Sequence, residues 1–181
     1  MTIGSRANAS GFSMIEVLVS LLITVIGVLG MVALQSKAIP YTQDSVQRNT
    51  AIMLADDLLE IIRTNGTCTP TNSCLKAPGA SFPASADKCI PTPSALNQQI
   101  GCWAVRAGNA LPGANTLLSK SFYICRSIEP RDATVSACAT ENLVDTDIEI
   151  QVAWTVKAAG ECLDPLDNST TCTYRVRTRL K

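Results

Sequence analysis

The residues of this chain that could do chemistry are one isolated carboxylate, eight thiols and a short run of acids on a helix. Glu16 stands at the head of an apolar run: Val17 to Leu34 is 18 uncharged residues, with only Ser20 and Thr24 polar. A carboxylate at the centre of a bilayer span costs roughly 3 kcal/mol even on lenient insertion scales, so Glu16 needs a partner. The nearest candidate is the amine that would appear at Phe12 if the chain were cut after Gly11, four residues before the carboxylate. The run itself is long enough to cross a hydrocarbon layer of about 30 Å.

The thiols call for different chemistry. Cys68, Cys74, Cys89, Cys102, Cys125, Cys138, Cys162 and Cys172 all follow the span, so they share one compartment. An even count on one side of a membrane anchor reads as a disulfide framework in an oxidising space. Zinc would call for close pairs such as C-x2-C, and the tightest pair here, Cys68 and Cys74, has five residues between. Eight cysteines allow 105 connectivities. Neighbour pairing is the simplest: Cys68 with Cys74, Cys89 with Cys102, Cys125 with Cys138, Cys162 with Cys172.

Other candidates reduce to structure. The chain has no His, which excludes His-based triads and removes the commonest metal ligand. Asp56, Asp57 and Glu60 could be sought as an acid–base pair, but their helix has a core face opposite and they read as solvated charges. The stripe Arg175, Arg177, Arg179, Lys181 could hold phosphate or DNA; the acids Asp147 and Glu149 on another strand make cross-strand pairing the better reading. Trp103 and Trp154 read as core. No phosphate loop, nucleophile elbow or zinc motif is present, so the chain reads as a non-enzyme with no cofactor and no metal. Lys and Arg balance Asp and Glu at 15 each, which gives nucleic acid no basic face.

These groups are positioned by a simple order of elements. Phe12 to Thr64 reads as one helix, apolar all round at first and amphipathic later. Val46, Thr50, Met53, Leu54, Leu58, Ile61 and Ile62 make its buried stripe, with Asp44, Gln47, Arg48, Asp57 and Arg63 opposite. Pro40 predicts a kink and Thr64-Asn65-Gly66 a stop. Gly27 and Gly30 are a candidate close-packing or unwinding site. Residues 66–93 carry five prolines and read as an irregular, disulfide-tied loop. Ser94 reads as the cap of a second helix through Leu96, Ile100, Trp103, Ala107 and Leu111, with CWAV open to a strand reading. Ser121 to Ser127, Asp147 to Val156 and Cys172 to Lys181 read as strands, the last two half-buried by their alternation. The expected fold is α+β: a long N-terminal helix on an antiparallel sheet, a disulfide-tied roll. The expected division is a leader over 1–11, the helix over 12–64 and an α+β head domain over 65–181.

The start of the chain is wrong for an ordinary secretory signal, whose apolar core precedes the cut. Here Arg6 is the only charge before Gly11 and the apolar run lies after it. An uncleaved signal anchor, or a secretory signal cut near Ser36-Lys37-Ala38, are the alternatives. The segment from Gly11 to Leu34 resembles the class III signal of type IV prepilins: a polar leader, a Gly11/Phe12 cut, and an acid fifth in the mature chain. Weaker likeness to the minor pilins of that family lies in the run through Arg63, in Gly101 to Trp103, Leu111 to Ala114, Tyr123 to Ser127 and the Tyr-Arg-Val-Arg close. Ala33 departs from the family, many of whose abundant members carry a Pro there.

The resemblance implies cleavage after Gly11 and N-methylation of Phe12 by a prepilin peptidase, with Glu16 as an assembly residue. It implies a single pass of the bacterial inner membrane before assembly, a periplasmic or surface head, and incorporation into a pilus. The implied partners are other minor pilins, the major pilin and the inner-membrane assembly machinery; the implied task is initiation of assembly or capping of the fibre tip. A minor pseudopilin of type II secretion shares the same N-terminal logic and is the alternative.

Overall fold

The computed structural model describes residues 13–65, 74–127, 147–159, 161–162 and 169–179. In chain order the elements are α1 (Met14–Thr64), α2 (Leu96–Ala110), α3 (Ala114–Leu117), β1 (Tyr123–Ser127), β2 (Asp147–Thr155) and β3 (Thr171–Thr178). The chain divides into two compact units, residues 1–40 and 41–181. In the first, α1 is apolar and exposed from Met14 through Leu34 apart from Glu16 and the small or hydroxyl residues, and helix continues through Gly27, Gly30 and Ala33. Ser20 and Thr24 donate back to the carbonyls of Val17 and Leu21, at 2.9 and 2.8 Å, so even the polar side chains of this stretch are satisfied within the helix. Pro40 lies inside α1, and the division between the units falls there.

The second unit is α+β. Its antiparallel sheet has the order β1-β2-β3, with Ile150 paired to Ile124 on one side and to Val176 on the other. Lys76 adds an isolated antiparallel bridge to Ile124, through backbone bonds of 2.8 and 2.9 Å. The latter half of α1 buries Ala51, Leu54, Ala55, Leu58, Leu59 and Ile62 in one core with Trp103 and Ala107 of α2 and with Ile148, Ile150, Val152 and Trp154 of β2. Each large aliphatic side chain so buried contributes about 1.5–3 kcal/mol.

This core corrects the sequence-based stripe. Val46 and Met53 are exposed, at 65% and 72%, and Thr50 is only partly covered, whereas Ala51 and Ala55 are fully buried. The true face is centred on small residues that let a neighbouring element approach the helix, and alanine gives little signal in an apolar pattern. Asp44, expected on the solvated face, is 1% exposed and accepts a 3.2 Å bond from the Trp154 indole. The indole nitrogen of Trp103 likewise donates to the Leu54 carbonyl at 2.9 Å. Both tryptophans are core residues whose polar edges are satisfied by α1.

The strand and cap readings also change in detail. Strand β2 is not half-buried: Ile148 through Trp154 are buried without a break, because β2 is the central strand and both of its faces are covered. Ser94 does not cap α2; Ala95 is the extended residue before it and offers no side-chain bond. The turn is held instead by Gln99, whose side chain donates to the Pro93 carbonyl at 2.7 Å. CWAV is helical. Gly66 lies outside the described residues, and at the end of α1 the Asn65 amide donates to the Ile61 carbonyl at 2.8 Å.

The segment from residue 74 to residue 95 is irregular beyond the Lys76 bridge, and it is fastened to α2. Phe82 packs on Trp103 and Phe122, with ring centroids 5.7 and 6.4 Å apart, and Cys89 is bonded to Cys102. Gly101 is needed for the approach: a Cβ there would sit 2.5 Å from the Ala84 carbonyl oxygen and 2.6 Å from its carbon. Gly113 follows α2 at φ 66° and lies against Thr155, whose N–H donates to the Pro112 carbonyl at 2.8 Å. Adding a Cβ at Gly101 must therefore move backbone; Gly101→Ala should cost about 1–3 kcal/mol by overpacking. Thermal unfolding of the detergent-solubilised protein measures it, and Gly27→Ala, whose Cβ would meet nothing, should leave the transition in place.

Lys76 generates a second expectation. Its ammonium is buried, donates to the carbonyls of Phe122 at 2.6 Å and Ala77 at 3.3 Å, and lies 4.9 Å from the centre of the Phe82 ring. Burial pulls its pKa down from 10.5 to about 8. Between these values the unfolded chain holds a proton that the folded chain has lost, so stability should rise with pH from about 8 toward 10. Lys76→Met should flatten that rise, as read from denaturant midpoints at pH 7.5, 8.5 and 9.5.

Candidate functional site

The N-terminal end carries the chemistry that the sequence singles out. Gly11 and Phe12 lie outside the described residues. Glu16 is in the first turn of α1, is exposed, and is flanked by Ile15 and Val17, both exposed. A negative charge in a first turn interacts favourably with the helix dipole, and its N–H donates to the Ser13 carbonyl at 3.0 Å. No side chain among the described residues neutralises it. The helix that follows is long and apolar enough to cross a membrane, and its apolar stretch is wholly unburied within the chain. The arrangement offers a charged end and an apolar surface, both directed at something other than this chain's own core.

In the second unit the polar groups that cluster do so to satisfy one another. On the face of the sheet away from the main core, Tyr123 donates from its hydroxyl to Glu149 at 2.6 Å, and Gln151 bonds the Ser121 carbonyl at 2.5 Å and the Arg175 guanidinium. Burial, and then the adjacent Glu149 carboxylate, hold the Tyr123 phenol above its ordinary range. Arg177 lies opposite Glu149 in the ladder and pairs with Asp147 at 3.2 Å, so the basic stripe of β3 meets acids across the sheet. Arg179 is exposed, and Lys181 lies outside the described residues. Asp57 pairs with Arg106 of α2, while Asp56 and Glu60 face solvent. Among the described residues no group of three His, Cys, Asp or Glu side chains could hold a metal.

The cysteines are part of the scaffold. Cys89 is bonded to Cys102 and Cys162 to Cys172, and Cys74 and Cys125 are also in disulfides. Cys68 and Cys138 lie outside the described residues. What the sequence reading missed, besides the burial of Glu149 and Gln151 on β2, is the burial of Asp44 and Lys76. Lys76 carries no sequence signal; Asp44 had one, since it sits seven residues before Ala51 on the face that α1 buries.

Two family models match, on adjoining stretches. Residues 6–32 match the prokaryotic N-terminal methylation motif, and residues 33–104 match Type IV pilin Tt1218. The second match ends within α2, before the sheet begins. Neither a curated protein nor a solved structure matches. The methylation motif ending in an exposed apolar helix, continued directly by the pilin match and then by a disulfide-bearing helix-on-sheet body, makes this chain a protein of the type IV pilin class, which takes in the pseudopilins.

Proposed function

We propose that the chain is a minor pilin of a type IV pilus, of the kind known as the type IV pilus modification protein PilV, acting with other minor pilins to initiate assembly or cap the fibre tip. The observation that carries the reading is Glu16: a single carboxylate at the head of an exposed apolar helix, four residues past Phe12, with no neutralising side chain among the described residues. A charge so placed costs free energy in a membrane unless a partner meets it. The partner available at that depth in a filament is the Phe12 amine of an adjacent subunit. Prepilin peptidase would free that amine by cutting after Gly11, and would methylate it. The protein then waits in the inner membrane as a single-pass precursor, its second unit on the periplasmic side, until the assembly machinery extracts it.

The minor role is supported by the short likenesses from Gly101 to Trp103, Leu111 to Ala114 and Tyr123 to Ser127, two of which hold special places in the fold: Gly101 against Ala84 and Gly113 against Thr155. A pseudopilin of type II secretion would share the N-terminal half, and the cysteine-dense body favours a surface fibre over it. Processing is checked by the mass of the mature N-terminus in cells with an active prepilin peptidase. The expected start is N-methyl-Phe12; a start at Met1, or near Ile39, would sink the reading. Assembly is checked by Glu16→Ala, which should leave the body folded and the leader cut while lowering the protein recovered in sheared pili several-fold relative to membranes. Glu16→Asp should restore only part of that recovery, because its shorter stem withdraws the charge by one methylene. Equal incorporation of Glu16→Ala and wild type would remove Glu16 from assembly.

A further inference from the structure

Where α1 enters the second unit it buries three polar atoms that have no partner among the described residues. Asp44 is 1% exposed; its Oδ1 takes the 3.2 Å bond from the Trp154 indole, and its Oδ2 takes none. Oε1 of Gln47 and Nε of Arg48 are buried in the same condition. Gln47 and Arg48 follow Asp44 by three and four residues, so each is its neighbour on the helix surface, with Cβ atoms about 5–6 Å away. Among the described residues no direct ion pair joins Asp44 to Arg48. A buried donor or acceptor left unsatisfied is costly, and folded proteins tolerate few of them. Three within one turn of a helix, one on a side chain as enclosed as Asp44, point to a ligand.

The chemistry of the three atoms selects its class. Asp44 Oδ2 and Gln47 Oε1 accept hydrogen bonds, and Arg48 Nε–H donates one. A cation would suit the two acceptors but would face the Arg48 guanidinium, and an anion would face the Asp44 carboxylate. A neutral molecule that donates twice and accepts once meets all three, and water is the smallest that does. Turning the Gln47 amide over does not change the choice: water would then accept from Gln47 and Arg48 and donate to Asp44. We infer that Asp44, Gln47 and Arg48 hold one ordered water molecule, which joins the carboxylate to the guanidinium as a water-bridged ion pair. Three hydrogen bonds is the usual complement of a buried water. Gln47 also lines an open groove of about 380 Å³ with Thr42, Gln43 and Val46, and this is the route by which solvent reaches the site. The chain of bonds runs from the Trp154 indole on β2 through Asp44 and the water to Arg48, so the solvent molecule is part of what fastens α1 to the sheet.

Crystals of the full chain grown from detergent, at a resolution that shows ordered solvent, test this directly. The expected result is one solvent peak within about 3 Å of Asp44 Oδ2, of Arg48 Nε and of the Gln47 side-chain amide. Crystals grown with rubidium in place of sodium should give no anomalous peak there. In detergent solution the Arg48 Nε–H should show a nuclear Overhauser cross-peak to water with the sign of dipolar contact, not of proton exchange. Gln47→Leu removes one of the three partners and should weaken that cross-peak several-fold; Val46→Ala changes only the groove wall and should leave it unchanged. A direct bond from Arg48 or Gln47 to Asp44, an anomalous peak at the site, a site without solvent density, or equal cross-peaks in Gln47→Leu and wild type would overturn the inference.

Discussion

Strand β2 is buried on both faces, and the rest of the second unit follows from that constraint. A central strand spends all its backbone groups on its neighbours, so β1 and β3 must both be in register with it. Its side chains then divide by parity. Ile148, Ile150, Val152 and Trp154 take the face shared with α1 and α2, and Glu149 and Gln151 take the other. A slip of one residue would drive a carboxylate and an amide into the core and four large apolar side chains out of it. The polar face is costly unless its groups are paired, and it is paired: Tyr123 serves Glu149, while Ser121 and Arg175 serve Gln151.

The same constraint explains the loops. A three-stranded sheet with helices on one side is a modest core for the chain it must order, and the long stretch from residue 74 to residue 95 forms no regular element to help. It is instead tied down at points. Lys76 stitches it to β1, Phe82 fills the space beside Trp103 and Phe122, Gly101 lets its backbone lie on α2, and Cys89–Cys102 closes the end. Disulfides lower the entropy of the unfolded chain where packing alone gives too little. Lys76 is the exception to cheap packing, since a buried ammonium is tolerated only because two carbonyls and a ring face meet it.

The helix-on-sheet architecture was legible because its elements are long or strongly patterned. The apolar run from Val17, the stripe through Leu54, Leu58 and Ile62, and the alternation in β2 and β3 are repeated signals that single substitutions do not obscure. What was illegible depends on neighbours the pattern does not contain. The second buried face of β2 is polar, so alternation reads it as solvent-facing. Ala51 and Ala55 carry the core face of α1, while Val46 and Met53, more apolar, lie outside it. Ser94 had the right chemistry for a cap one residue too early. For the candidate site the position of Glu16 was legible, since an isolated charge in an apolar run needs no structure to be noticed. The structure adds that α1 begins just before it and leaves it exposed.

Two carboxylates on α1 stand in contrasting surroundings. Asp44 is enclosed by its own chain, where Oδ1 accepts a hydrogen bond from the Trp154 indole and Oδ2 is buried with no hydrogen-bond partner among the described residues. Glu16 stands among exposed apolar side chains with no such side-chain donor among the described residues. Glu16 belongs to the first unit, residues 1–40, and Asp44 to the second, residues 41–181. A buried ion pair adds little net stability once desolvation is counted, but an unmet charge in an apolar setting is strongly disfavoured. Its effect is therefore to select against arrangements that leave it unmet. Under the function proposed for this chain, such selection would set the register between subunits, which would give a reason to keep a carboxylate where an isolated helix would be better served by leucine.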